Sequence, residues 1–217
     1  MSKEAIVLLS GGQDSATCLA EAIQSFDSVH CVAFNYGQRH RIELDQAKVL
    51  AQLAGASFQE VALPFINDLT ANALTRHDEE ITTPEGGLPT TFVPGRNLFF
   101  ISVAAVIAHQ RGASVIYTGV CQTDYSGYPD CRDDFVKSLK QSLSLGMDYD
   151  FDILTPLMTL TKAETVLRMK ALGHLDWYES THTCYEGHRP ACGKCPACDL
   201  RLKGFAEAGI SDPLAYA

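Results

Sequence analysis

Two stretches of this chain hold residue types whose spacing could do chemistry. The first is "CYEGHRPACGKCPAC", residues 184–198, where four cysteines follow the pattern C-x7-C-x2-C-x2-C. Four thiolates within fifteen residues suit tetrahedral closure around one metal ion, and the intervening Gly187, Pro190, Gly193 and Pro196 let the chain wrap tightly. Cys184, Cys192, Cys195 and Cys198 would fill the coordination shell and leave no position for water. The expected site is therefore structural, one Zn2+ per chain. Zinc is preferred to an iron–sulfur cluster because nothing else here calls for redox chemistry. His182 and His188 stand close by as alternative ligands, but four cysteines already suffice. Cys18, Cys31, Cys121 and Cys131 are scattered and read as small buried apolar residues, with no catalytic role required of Cys121 or Cys131.

The second stretch is "LLSGGQDSATC", residues 8–18. An apolar run stops at Ser-Gly-Gly, and a helical pattern follows. A Walker loop would need G-x-x-x-x-G-K-[ST], and a dinucleotide fingerprint would need a third glycine; both are missing. What remains still suits a phosphate. Glycine lets backbone N–H groups approach an anion, a helix N-terminus adds partial positive charge, and the Ser10 and Ser15 hydroxyls can donate to phosphate oxygens. Asp14 could cap the helix or help hold Mg2+ on the phosphates. The candidate nucleotide-binding residues are Leu8, Leu9, Ser10, Gly11, Gly12, Gln13, Asp14, Ser15, Ala16, Thr17 and Cys18.

Positioning these stretches requires a scaffold, and the pattern supplies one. Short β-branched or aromatic runs occur at 5–10, 30–37, 58–64 and 114–120. Helical periodicity fills Ala16 to Phe26, Ile42 to Leu53 and Asn97 to Arg111, with Gly55 and Gly112 as stop signals. Alternation at this spacing predicts βαβ units and a doubly wound parallel α/β sheet, with ligands bound beyond the carboxyl ends of its strands. Residues 65–96, with three prolines and three glycines between 75 and 97, break the rhythm and are expected to form a loop or lid. The expected organisation is an α/β domain over 1–175, with that insertion, and a C-terminal metal-binding segment over 176–217 packed on it.

The chain has 217 residues, 46% of them hydrophobic, which is enough for a real core. No apolar run approaches the roughly 20 residues of a membrane span, and "MSKEAIVLLSGG" reads as a first strand and not a signal peptide, so a cytoplasmic protein without membrane contact is expected. In that compartment the cysteines are not expected to form disulfides. The net charge of −9 argues against a large nucleic-acid footprint, yet a few placed cations could still meet a small anion.

"SGGQDS" resembles the S-G-G-x-D-S signature of the PP-loop ATP pyrophosphatases, which include the ammonia-dependent synthetases for GMP and NAD. In them ATP is cleaved between its α- and β-phosphates and AMP is passed to a substrate oxygen. Within that superfamily, "FNYGQRHRIELDQA" (34–47), "TFVPGRN" (91–97), "TGVCQTDYSGYPDCRDDFV" (118–136), "TPLMTLTKAE" (155–164) and the cysteine cluster together resemble the 7-cyano-7-deazaguanine synthases of queuosine biosynthesis. The likeness runs essentially the whole length, and no motif position departs from the pattern. It implies an adenine nucleotide alpha hydrolase-like fold, a carbon–nitrogen ligase, the substrates 7-carboxy-7-deazaguanine, ammonia and ATP with Mg2+, and a structural zinc.

A purine-like ring wants a flat aromatic slot, for which Tyr36, Phe92, Tyr125 and Tyr128 are available. Asp124 or Asp130 could accept hydrogen bonds from its edge, although Asp130 could equally cap a helix beginning near Arg132. Arg39, Arg96, Arg132 and Lys162 are cations at turns or element ends, able to meet a carboxylate or a triphosphate; Arg41 reads as solvated charge. Gln38 and Asn97 join the substrate set as members of the matching motifs. Lys162 stands at a helix start, where a cation is unfavourable to the dipole, and it heads the catalytic candidates with Asp14 and Arg96. Two rival readings are a tRNA-modifying PP-loop enzyme that adenylates a base and a non-catalytic zinc-ribbon nucleic-acid module. The first usually carries a basic extension not visible here; the acidic balance and the glycine loop oppose the second. A homodimer is compatible with the sequence.

Overall fold

The computed structural model describes residues 3–70, 72–75, 82, 85, 87–122 and 127–217. The first strand, β1 (Glu4–Leu8), is the apolar run before the glycine loop, and α1 (Gln13–Ser25) follows it. Then come β2 (Ser28–Asn35), α2 (Ile42–Leu53), β3 (Ser57–Ala62) and a short α3 (Phe65–Leu69). After the 70–95 segment, α4 (Arg96–Arg111) leads into β4 (Val115–Tyr117). A 3-10 turn (Pro129–Cys131), α5 (Asp133–Met147) and β5 (Asp152–Leu154) complete the sheet. The chain ends with α6 (Lys162–Ala171), a 3-10 turn (Leu175–Ser180) and α7 (Pro196–Glu207).

All strand pairs are parallel, in the order β3-β2-β1-β4-β5, so the fold is a doubly wound α/β sheet as expected. Strand periodicity sorts β1 and the residue after it onto two faces. Ala5, Val7 and Leu9 enter one core with Leu19, Leu50, Val166 and Phe205. Ile6 and Leu8 enter the other with Ile101, Ala104, Leu139 and Leu143. The central strand is sealed on both faces, which fixes its carboxyl end as a rigid platform. The order reverses between β1 and β4, so a crevice opens where their carboxyl ends diverge.

Three expected helices appear nearly where periodicity put them, and Gly112 ends α4 in the left-handed conformation. Three elements escaped the pattern. β5 is only three residues long, and α7 lies within a cysteine-, glycine- and proline-rich region that masks its period. The described part of 65–96 opens with α3, where no regular element was expected. No helix among the described residues is long and apolar enough to cross a membrane.

The C-terminal residues are tied down by one cation. Arg201 on α7 is 1% exposed and donates Nε and Nη2 to the two oxygens of Asp212, at 2.7 and 2.8 Å. It also donates Nη1 to Thr181 Oγ1 (2.6 Å) and Nη2 to the Tyr178 carbonyl (3.0 Å), and it lies over the Tyr178 ring. Tyr178 in turn shares a 2.6 Å hydrogen bond with Thr17 of α1. A buried charge this fully paired holds α7, the tail and α1 in one network.

Candidate active site

Between β1 and α1 the chain passes through Leu9, Ser10, Gly11 and Gly12. Ser10 N donates to Ser15 Oγ (3.2 Å), Gly12 N to Ser10 Oγ (3.3 Å), and Ser15 Oγ to the Gly12 carbonyl (3.0 Å). The two serines thus lock the loop from within. Gly11 has φ +89°, and a Cβ there would overlap the backbone carbonyl oxygen of Glu43 on α2. Gly11→Ala carries both left-handed strain and a backbone collision, so it should cost about 1–3 kcal/mol of stability. We expect a lowered denaturation midpoint together with weakened ATP binding; an unchanged midpoint would contradict the tight approach.

Lys162 is the first residue of α6, and its Nζ donates to Asp14 Oδ2 at 2.6 Å, with the two side chains 12% and 26% exposed. The lysine that the loop lacks in sequence therefore reaches it from across the fold. A cation at a helix start is unfavourable to the dipole, and Asp14 offsets it. The start itself is held independently by a capping box, in which Thr161 N donates to Glu164 Oε2 (2.7 Å) and Glu164 N donates to Thr161 Oγ1 (3.2 Å). The back of Lys162 lies on α7. A Cβ at Gly204 would stand 2.6 Å from Lys162 Cβ and 3.1 Å from its backbone carbon, so α7 comes this close only because residue 204 has no side chain.

The crevice opens into a cavity of about 770 Å3. Leu8, Leu9, Ser10, Gly12, Gln13, Asp14, Ser15 and Lys162 line it at the loop end; Tyr36, Gln38, Arg39, Arg96, Asn97 and Tyr128 line it from the β2–α2 connection, α4 and the turn before α5. Gln13 Nε2, Asp14 Oδ1, His182 Nδ1 and Thr183 Oγ1 are buried there without a hydrogen-bond partner among the described residues, which suits a polar ligand. Arg96 lies over Tyr128 at 5.9 Å. Burial opposes its charge, but Tyr36, Asp130, Tyr128 and Cys131 outweigh that and hold its pKa above the ordinary arginine value. Described parts of 65–96 border the same space through Leu74, Thr82, Pro89 and Thr91.

Several expected contacts lie elsewhere. Gly11, Ala16, Thr17 and Cys18 do not line the cavity: Gly11 faces α2, and the turn of α1 carries the other three into the core. Cys18 is fully buried, and burial drives its thiol well above the ordinary range. Arg132 is exposed and off the cavity. Asp130 caps a helix, but a different one from that expected: its Oδ2 accepts from Asn97 N (3.1 Å) at the start of α4, not at α5. Asn97 Nδ2 donates to the Asp130 carbonyl (3.2 Å), so both residues first of all join α4 to the 3-10 turn. Phe92 packs on Tyr128 without lining the cavity. Asp124 and Tyr125 lie outside the described residues. Arg41 is exposed, paired with Glu60 at 3.0 Å. Glu43, His40, His182 and Tyr185 line the cavity although no spacing rule singled them out for it.

The four cysteine sulfurs of 184, 192, 195 and 198 lie within 4.8 Å of one another. Thiolates bound to one tetrahedral ion at about 2.3 Å stand about 3.8 Å apart, and the Cys192 and Cys198 sulfurs are 3.9 Å apart. The set fits a single ion. Without an ion, burial raises the Cys195 and Cys198 thiols; at Cys192 burial acts the same way, but the backbone N–H groups of Lys194 and Cys195 point at its sulfur and bring its thiol down to about 7. Leu214, Ala191 and Tyr216 form a small apolar cluster around these cysteines, and Ala191 N donates to the Ala215 carbonyl at 3.0 Å. The segment meets the loop directly, since His182 N donates to the Gly11 carbonyl at 2.8 Å.

A parallel sheet with a glycine loop at its switch point, and a lysine supplied to that loop by a later helix, defines a doubly wound α/β protein of the PP-loop fold class. Two solved structures share the fold. A 4-thiouridine synthetase in complex with RNA and bound ATP is 18% identical, with a TM-score of 0.53 over 95% of this chain and 50% of that one. The U34-tRNA thiolase NcsA from Methanococcus maripaludis, with its [4Fe-4S] cluster, is 18% identical, with a TM-score of 0.50 over 95% and 65%. The sequence is far more specific. Residues 4–209 match the family model described as queuosine biosynthesis protein QueC, and a 7-cyano-7-deazaguanine synthase from Chromobacterium violaceum is 51% identical over 98% of this chain and 93% of that relative. The chain belongs to the QueC family.

Proposed function

We propose that this chain converts 7-carboxy-7-deazaguanine and ammonia to 7-cyano-7-deazaguanine with consumption of ATP, as a step of queuosine biosynthesis. The observation that carries the reading is the Lys162–Asp14 pair at the glycine loop, inside a cavity large enough for a nucleotide beside a fused heterocycle. A carboxylate cannot lose oxide, so it must first be made into an ester of a good leaving group. The carboxylate oxygen attacks the α-phosphorus of ATP, pyrophosphate departs, and an acyl adenylate forms. Ammonia adds to the carbonyl, AMP leaves, and the primary amide remains. The amide oxygen then attacks the α-phosphorus of a second ATP, pyrophosphate and one N–H proton depart, and loss of AMP with the last N–H proton forms the C≡N bond.

In this reading the chain's residues position and neutralise. The loop N–H groups, Ser10 and Ser15 hold phosphate oxygens; Lys162 follows the charge of the departing pyrophosphate; Asp14 orients Lys162 and can share a Mg2+. Arg96 faces the carboxylate end, with Tyr36 and Tyr128 against the ring and Gln38, Arg39 and Asn97 at its edge. Leu74, Thr82, Pro89 and Thr91, which border the cavity, help keep water from the adenylate. The 176–217 segment is a metal-bound buttress on the 1–175 domain, its four cysteines holding a structural Zn2+ with no role in the reaction steps.

The test is incubation of the protein with ATP, ammonia and 7-carboxy-7-deazaguanine, followed by mass spectrometry. A nitrile product with two AMP per turnover is expected. AMP that appears only when tRNA is supplied would transfer the protein to the base-adenylating class. Metal content should be one zinc per chain in a colourless protein.

A further inference from the structure

We propose that Glu43 is the catalytic base that removes protons from the substrate nitrogen, an inference that rests on the reaction proposed above. Ammonia enters with three N–H bonds and the nitrile nitrogen keeps none. One proton leaves when ammonia adds and AMP departs, one when the amide oxygen takes the second AMP, and one as the C≡N bond forms. An acceptor must therefore stand beside the reacting carbon throughout.

Three carboxylates among the described residues line the cavity: Asp14, Glu43 and Asp199. Asp14 holds Lys162 at 2.6 Å. Asp199 is exposed on the first turn of α7. Glu43 is placed differently. Its backbone carbonyl abuts Gly11 of the phosphate loop; the residue as a whole is half-buried, and its carboxylate lies within electrostatic reach of Arg96, Tyr36 and Tyr185. It thus stands between the end that would hold the adenylate phosphate and the end that would hold the ring, where the reacting carbon must lie. No hydrogen bond to a described residue occupies its carboxylate, and Arg39, His40, Tyr128, Lys162 and His182 are among the other cationic or titratable groups lining the cavity. Burial raises its pKa to about 7, against the lowering effect of Arg96, so near neutrality it can both take a proton and release it.

The experiment compares wild type with Glu43→Gln and Glu43→Asp, starting from the primary amide of the deazaguanine with ATP. No ammonia is then needed, so ammonium titration does not enter the pH profile. Wild-type nitrile formation should rise with pH through about 7 as the carboxylate ionises. Glu43→Gln should lose about 100-fold or more of that rate and flatten the limb, while carboxylate-dependent ATP–pyrophosphate exchange stays within about threefold. Glu43→Asp should recover part of the rate and the limb. A Gln variant with the wild-type rate and profile overturns the assignment. So does one that loses exchange in parallel, because that marks a role in adenylation or folding. Wild type that forms no nitrile at all removes the reaction itself, and the assignment with it.

Discussion

Lys162→Met should lower pyrophosphate release by about 100- to 1,000-fold, the usual cost of deleting one preorganised group from a developing anion. The fold should not suffer. The start of α6 is held by the Thr161–Glu164 capping box, and a lysine at that position works against the helix dipole. Methionine keeps the length and apolar stem of the side chain that packs over Gly204. The denaturation midpoint should therefore stay within a degree or two while kcat collapses, and Lys162→Arg should recover only part of the rate because the longer, planar guanidinium cannot set a compact point charge where the ammonium stands beside Asp14. Parallel loss of stability and rate would assign the pair a structural role instead.

Removal of the metal should have the second-largest effect. The apolar cluster around the cysteines is too small to order residues 184–198 alone. Chelation, or Cys195→Ser with Cys198→Ser, should lower the midpoint by about 10 °C or more, since each kcal/mol is worth about 2–4 °C at this size. Hydrogen exchange should show protection lost in 184–198 and around Lys162 but kept in β1 and β2. Turnover should fall with it, although no reaction step uses the metal. Full turnover at zero metal content would sever the segment from the site.

Much of this was legible in the sequence because its signals are local. Strand–helix alternation, glycine stops and the cysteine spacing each declare themselves within fifteen residues, and Lys162 stands out as a cation at a helix start. What stayed hidden depends on partners far along the chain. Asp130 caps α4 from 33 residues away. Glu43, in the first turn of α2, looks like an ordinary acid favouring a helix dipole until Gly11 is seen against its carbonyl. Nothing local marks Arg201 as buried, and β5 is too short to show a period.

The contact between Gly204 and Lys162 joins two binding events. Cys198 and Gly204 lie on one helix, about 9 Å apart along its axis. If the bound ion steadies α7, and α7 steadies the lysine that receives the triphosphate, each ligand raises the affinity for the other by the same factor. Nucleotide should tighten the metal as surely as the metal tightens nucleotide. The cysteine segment is then less an appendage than the distant half of the phosphate site.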